Sequence, residues 1–123
     1  MKTIQELRLK FRYHQPPPTL KILYEGTEVA ELKRETPGYR FRYLDAFSKL
    51  DLEPLPGLPL GREYRDTALP LYFRERLPDT KRLDVKRLIA QFNIPTDDEL
   101  LLLGTLGRHT ITDPFELRLS SVA

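Results

Sequence analysis

Leu20-Lys21-Ile22-Leu23-Tyr24-Glu25-Gly26-Thr27-Glu28-Val29-Ala30-Glu31-Leu32 and, after a short break, Tyr39-Arg40-Phe41-Arg42-Tyr43 decide the fold. Leu20, Ile22 and Tyr24 alternate with other residues at period two, which places them on one face of a strand. Glu25-Gly26 supplies a tight turn, with Gly26 free to take a positive φ. Val29 and the Glu31-Leu32 stretch return as a second strand. Thr36-Pro37-Gly38 is a second turn. Tyr39, Phe41 and Tyr43 then alternate with Arg40 and Arg42, which reads as a third strand of an antiparallel meander.

The same period lies upstream. Leu7, Leu9, Phe11 and Tyr13 alternate with Arg8, Lys10, Arg12 and His14, so residues 6–14 are predicted to form a half-buried strand with a basic outer face. Pro16-Pro17-Pro18 ends it, because proline has no N–H for a ladder and favours an extended connector. Downstream, residues 51–65 read as irregular: Pro54, Pro56 and Pro59 sit among Leu52, Leu55, Leu58 and Leu60. From Asp66 the period becomes helical. Asp66 or Thr67 is placed to cap a short helix with Pro70 in its first turn and Leu69, Phe73 and Leu77 on one face. Asp79 or Thr80 is placed to cap the next, whose Val85, Leu88, Ile89 and Phe92 follow amphipathic spacing. Thr96-Asp97-Asp98-Glu99 reads as a capping box, with Thr96 as the cap of a third helix that ends near Gly104 or Gly107. Phe115, Leu117 and Leu119 alternate as a closing strand. The order of strands, then helices, then a strand predicts an α+β fold. It is an antiparallel meander or partly closed sheet followed by three short helices and a C-terminal strand. Glu6-Leu7-Arg8-Leu9 recurs as Glu116-Leu117-Arg118-Leu119, which suggests similar edge strands from the two ends of the chain.

Composition narrows the function. At 123 residues the chain is the size of one domain, taken here as 1–123. It has no Cys, which excludes disulfides, thiol nucleophiles and Cys-based zinc sites. Its 20 basic and 18 acidic residues give a net charge of +2, too balanced to argue for nucleic acid by charge alone. Its 11 prolines fit short elements and enforced turns. No apolar run approaches the ~20 residues of a membrane span, and the start lacks a signal-type apolar core, so a cytoplasmic protein is expected.

Sites of catalysis are not evident. His14 and His109 stand apart from further ligands, so no metal site is expected. Ser48, Ser120 and Ser121 lie in no nucleophile elbow. Asp97, Asp98 and Glu99 are explained by the helix start. Gly104-Thr105-Leu106-Gly107-Arg108 has the glycines of a phosphate loop but neither the preceding strand nor the Lys-Ser/Thr of one, so Gly107 reads better as a helix cap. The basic residues Arg8, Lys10, Arg12, Arg40 and Arg42 fit either a phosphate-tracking face or a solvated sheet face. The loop Leu55–Tyr64 fits either a roof over the core or a Pro-stiffened recognition surface.

The ordered motifs resemble the N-terminal subdomain of HipA-type serine/threonine kinases. Leu23-Tyr24-Glu25-Gly26-Thr27-Glu28-Val29-Ala30-Glu31-Leu32 matches its hairpin, Tyr39–Tyr43 its aromatic strand, and Gly57-Leu58-Pro59-Leu60 its short Pro loop. Tyr72-Phe73-Arg74-Glu75-Arg76-Leu77-Pro78-Asp79-Thr80 and Leu102-Leu103-Gly104-Thr105-Leu106-Gly107-Arg108 complete the series. The resemblance covers residues 19–112 and leaves 1–18 outside it. Glu75, Arg76 and Thr80 depart from the family's usual Asn, Leu and Gly. After Arg108 the family's Asp-Cys-Ala-Gly-Ala is replaced by His109-Thr110-Ile111-Thr112-Asp113. The catalytic, metal and ATP-site motifs of the kinase body do not occur, so the chain is not expected to be an enzyme.

A domain of this kind occurring alone resembles the HipS antitoxins of three-part HipBST toxin–antitoxin modules. The resemblance implies that the chain neutralises a HipA/HipT-like serine/threonine kinase toxin. It also implies a HipB-like helix-turn-helix protein as a further partner, with no direct contact to nucleic acid or membrane and no cofactor. The expected partner-binding residues are Leu58, Leu60 and Tyr64, which would fill an apolar slot. Arg62 and Arg65 would meet carboxylates or phosphate positions, and Tyr72, with Phe73, would anchor the docking helix. Two other readings stay open: a detached lobe that completes the kinase without inhibiting it, and a nucleic-acid module using the basic N-terminal strand.

Overall fold

The computed structural model describes residues 19–120 apart from 36, 97, 109, 111 and 112. The strand expected at 6–14, the connector at 16–18, His14 and His109 lie outside the described residues. Strands β1 (Thr19–Tyr24), β2 (Thr27–Glu35) and β3 (Gly38–Tyr43) form the meander. A single-turn helix α1 (Asp45–Lys49) follows, then β4 (Tyr64–Asp66) and a second single-turn helix α2 (Leu71–Arg74). Helices α3 (Leu83–Phe92) and α4 (Glu99–Thr105) precede the closing strand β5 (Phe115–Ser120). The five strands make one antiparallel sheet in the order β4-β3-β2-β1-β5.

The α+β reading holds, with two elements added. α1 and β4 were not legible because one helical turn and three strand residues are too short to show a period. Phe47 of α1 is fully buried, and Tyr64 of β4 pairs with Phe41. Gly38 allows that last strand to close in, since a Cβ there would lie 2.0 Å from the Asp66 carbonyl oxygen.

Period two explains the core. One face stacks Leu119, Leu20, Leu32, Phe41 and Tyr64 in a single row across the sheet, and Leu117, Ile22, Ala30 and Tyr43 in the next. The β1–β2 turn has positive φ at both central residues, Glu25 at 48° and Gly26 at 84°, the conformation that matches strand twist in two-residue hairpins. The register shifts between Ile22 and Leu23, so Val29 is an extra residue in β2. Its carbonyl instead accepts from the Leu44 N–H at 2.9 Å, which leads the chain into α1. Leu69, Phe73, Leu100 and Leu103 cover the core face from the helical side.

Three cap assignments are corrected. Asp66 belongs to β4, and α2 starts after Pro70 with no side-chain cap. α3 is preceded by Arg82, while Asp79 accepts the Lys81 N–H in the turn before it. α4 is capped by Asp98, which accepts the Leu101 N–H at 3.2 Å, and not by Thr96. Asp98 is also ion-paired with Arg34 of β2, and Glu99 accepts from the Tyr39 hydroxyl at 2.8 Å instead of reaching back along its own helix. These sheet contacts select the cap.

Candidate partner-binding surface

Residues 51–63 form a loop pinned at its middle. The Tyr43 hydroxyl accepts the Leu55 N–H at 2.8 Å and donates to the Leu58 carbonyl at 2.5 Å. This clamp turns Leu55 and Leu58 inward, where both join the core. Burial raises the Tyr43 pKa, so the hydroxyl keeps the proton it donates. Asp51 (φ 53°), Gly57 (76°) and Gly61 (81°) supply the left-handed turns that the prolines cannot.

The rest of the loop faces out. Leu60 is 48% exposed, and Pro59, Arg62 and Arg65 are also exposed. A cleft of about 280 Å³ opens between Phe41, Leu58, Pro59, Arg62, Tyr64 and Arg65. A second, of about 240 Å³, lies against Arg42, Tyr43, Gly61, Arg62 and Glu63. Arg62 lines both and has no hydrogen-bond or ion-pair partner among the described residues. Arg65 is held weakly, 3.4 Å from Glu63. Glu63 instead takes Arg40 through two hydrogen bonds, at 3.2 and 3.0 Å, which hold its pKa below the usual carboxylate value.

The structure divides the six expected contact residues. Leu60, Arg62 and Arg65 are all exposed, and Arg62 and Arg65 line the same cleft. Tyr64 is half-buried and donates to the Ala68 carbonyl at 2.8 Å. Leu58, at 2% exposure, and Tyr72, at 8%, are turned into this chain's own core, as is Phe73. α2 is a single turn, so presenting Tyr72 and Phe73 inward leaves Leu71 and Arg74 outward.

Sequence reasoning registered Arg76 only as a departure from the family pattern, yet it organises the end of the domain. It is 8% exposed. Its guanidinium donates to the Gly107 carbonyl at 3.2 and 2.9 Å, to Arg108 at 2.8 Å and to Phe115 at 2.9 Å. It also reaches the Tyr72 hydroxyl at 3.2 Å and lies 3.5 Å from the Asp113 carboxylate. Tyr72 donates in turn to Asp113, and burial with that bond raises the Tyr72 pKa. The Gly104–Arg108 segment therefore turns two carbonyls toward a cation, and the Gly107 N–H caps α4 through the Leu102 and Leu103 carbonyls. The Leu106 and Gly107 N–H groups are thus committed to the helix end and not to a phosphate.

The other sheet face is charged and internally paired. Glu31 is buried between Lys21, at 3.0 Å, and Arg42, at 2.5 Å, with Lys33 at 3.6 Å. Burial works to raise its pKa, but the hydrogen bonds from Lys21 and Arg42 outweigh it and hold the carboxyl below its ordinary value. Arg40 is bound by Glu35 as well as Glu63. Among the described residues, Lys21, Lys33, Arg40 and Arg42 of this face thus already have partners. Among the described residues no cluster of His, Asp and Glu has the makings of a metal site, and no helix is long and apolar enough to cross a membrane.

α3 differs from its expectation. Val85 and Ile89 are half-buried, Leu88 and Phe92 are exposed, and no residue of the helix is buried. Its amphipathic stripe is real but does not enter the core.

Comparison with known proteins agrees with this architecture. A solved structure described as the N-terminal domain of HipA toxin matches with a TM-score of 0.51 and 14% identity, over 86% of this chain and 95% of that one. No curated protein matches the sequence. The family model described as HipA N-terminal domain matches residues 20–111, a domain distinct from the kinase catalytic body. The chain belongs to the HipA N-terminal domain family.

Proposed function

We propose that this chain is a non-enzymatic antitoxin that binds and neutralises a HipA/HipT-like serine/threonine kinase in the cytoplasm. In this reading a HipB-like helix-turn-helix protein joins the same assembly. Family membership supports association with HipA-like proteins. The observation that carries the finer reading is the clamped, Pro-stiffened tip at 56–63. Tyr43 holds its base through Leu55 and Leu58, and beyond that point it exposes Leu60 and, two residues on, the unpartnered Arg62. A loop already ordered loses little entropy on docking. An apolar residue beside an unpaired guanidinium suits a cleft that mixes apolar walls with carboxylates or phosphate positions.

The test is a phosphorylation assay of a HipA-type kinase lacking its own N-terminal subdomain, titrated with this chain. Stoichiometric loss of activity is expected. Tight binding with activity unchanged or raised would make the chain a complementing lobe, and absence of binding would remove the kinase reading.

A further inference from the structure

The cleft of about 280 Å³ between the 56–63 tip and β4 is concave, so it can receive a group as well as border one. Leu58, Pro59 and Tyr64 are its apolar walls, and Arg62, Glu63 and Arg65 its charged ones. Arg62 has no partner among the described residues. Arg65 has one contact, at 3.4 Å to Glu63. Glu63 is itself engaged by Arg40, through hydrogen bonds at 3.2 and 3.0 Å. The cleft thus holds two cations and a single carboxylate that already answers a third cation, so its unmet charge is positive. β4, which supplies Tyr64 and Arg65, is the outermost strand of the sheet, with no strand beyond it among the described residues.

Four anions can be compared on these observations. A side-chain carboxylate carries one charge and would leave one guanidinium unmatched. A nucleic-acid backbone needs a track of unpaired cations, and on the charged sheet face Lys33, Arg40 and Arg42 are already ion-paired. Free phosphate would meet the arginines but leave the apolar walls bare. A phosphorylated side chain meets both: its phosphate carries about −1.5 to −2 near neutral pH with three acceptor oxygens, and its carbon stem covers the walls. We propose that this cleft binds a phosphorylated serine or threonine side chain in an extended segment, with Arg62 and Arg65 holding the phosphate and Pro59 and Tyr64 flanking the stem. The open edge of β4 gives the backbone of such a segment a strand to lie along. A serine/threonine kinase makes this group, so the proposal names what Arg62 meets on such a partner, and that clause rests on the kinase-binding reading above.

The experiment uses the full chain without a kinase. Backbone amide shifts of the isotope-labelled protein are followed during titration, to millimolar concentration, with a short phosphoserine peptide, its serine and glutamate counterparts, and inorganic phosphate. The phosphoserine peptide is expected to shift the amides of residues 57–65 and to saturate them about tenfold below inorganic phosphate, with no response to the serine peptide. Arg62→Ala should weaken that response by about tenfold or more, the scale of a lost charged hydrogen bond, and Arg62→Lys should recover only part, because an ammonium lacks the guanidinium fork. Glu63→Gln should tighten binding severalfold, since it frees Arg65 from its carboxylate contact. Arg82→Ala, which removes an equal charge at the start of α3, should bind as the parent does. Arg62 is exposed, so Arg62→Ala should also melt with the parent. Absence of shifts with the phosphoserine peptide, or a parent-like response in Arg62→Ala, would overturn the proposal. Equal saturation by the glutamate peptide would make the cleft a carboxylate site, and equal saturation by inorganic phosphate a free-anion site; either result overturns it as well. None of these outcomes touches the kinase reading, which the phosphorylation assay tests separately, and failure of that assay would leave the peptide result standing.

Discussion

Replacing Arg76 with Leu should destabilise this chain although it swaps a buried cation for an apolar side chain. The Gly107 and Phe115 carbonyls lose their Arg76 donors, and Asp113 loses its cation. The Arg108 carbonyl is less affected, because it also accepts the Leu117 N–H at 2.9 Å. Two orphaned carbonyls at ~1–3 kcal/mol each give about 2–6 kcal/mol. Relief of the guanidinium's desolvation offsets part of this, while an unpaired Asp113 adds to it. Removing one partner of a buried pair typically costs about 3–5 kcal/mol; since Asp113 retains some exposure, a loss of roughly 2–4 kcal/mol is expected. With a urea slope of about 2 kcal/mol/M, the middle of the range for a small domain, the midpoint should fall by roughly 1–2 M. Urea titration followed by circular dichroism measures it directly. Adding Asp113→Asn should restore part of the loss, because the stranded carboxylate is then neutral. A midpoint for Arg76→Leu within 0.3 M of the parent would refute the reasoning and make the guanidinium network incidental.

The remaining predictions use the same structure. Leu60→Ala with Arg62→Ala should weaken kinase inhibition by about 1–3 kcal/mol with folding unchanged, whereas Leu58→Ala should cost ~2–5 kcal/mol of stability, and thermal melts beside the phosphorylation assay separate the two. Tyr43→Phe removes both loop hydrogen bonds and should cost about 1–3 kcal/mol while speeding limited proteolysis at 51–63. Gly104→Ala would place a methyl 2.2 Å from Leu119 Cγ and should lower stability by ~1–3 kcal/mol, read as a reduced melting temperature. Burial and the hydrogen bond to Glu99 push the Tyr39 pKa up to about 12, against an unfolded value near 10. Between these values the unfolded chain releases a proton that the folded chain keeps. Stability should therefore be intact below pH 10 and fall as pH rises from about 10 to about 12, with a smaller fall in Tyr39→Phe; a flat urea midpoint across that range would contradict it.

The sequence by itself determined the meander, the closing strand and the α+β order. Period-two alternation at Leu20–Tyr24, Tyr39–Tyr43 and Phe115–Leu119 is a local property, set by which side of a pleat each side chain leaves. The ordered motifs also pointed to the family, because hairpin, aromatic strand, Pro loop and helix pair occur in one sequence order. Half of the candidate surface was legible as well: an apolar Pro-stiffened loop with arginines fits either a roof or a contact, and Leu60, Arg62 and Arg65 are exposed. Only the tertiary structure decided that Leu58 is roof while Leu60 is surface, since the Tyr43 clamp that sorts them joins residues 12 and 15 positions apart. It alone placed Tyr72 inward against Asp113, made Arg76 a staple, and chose Asp98 over Thr96 as a cap through Arg34. It alone left the stripe of α3 uncovered. Periodicity says which residues share a face, whereas what that face meets depends on residues distant in sequence, and those meet only once the chain has folded.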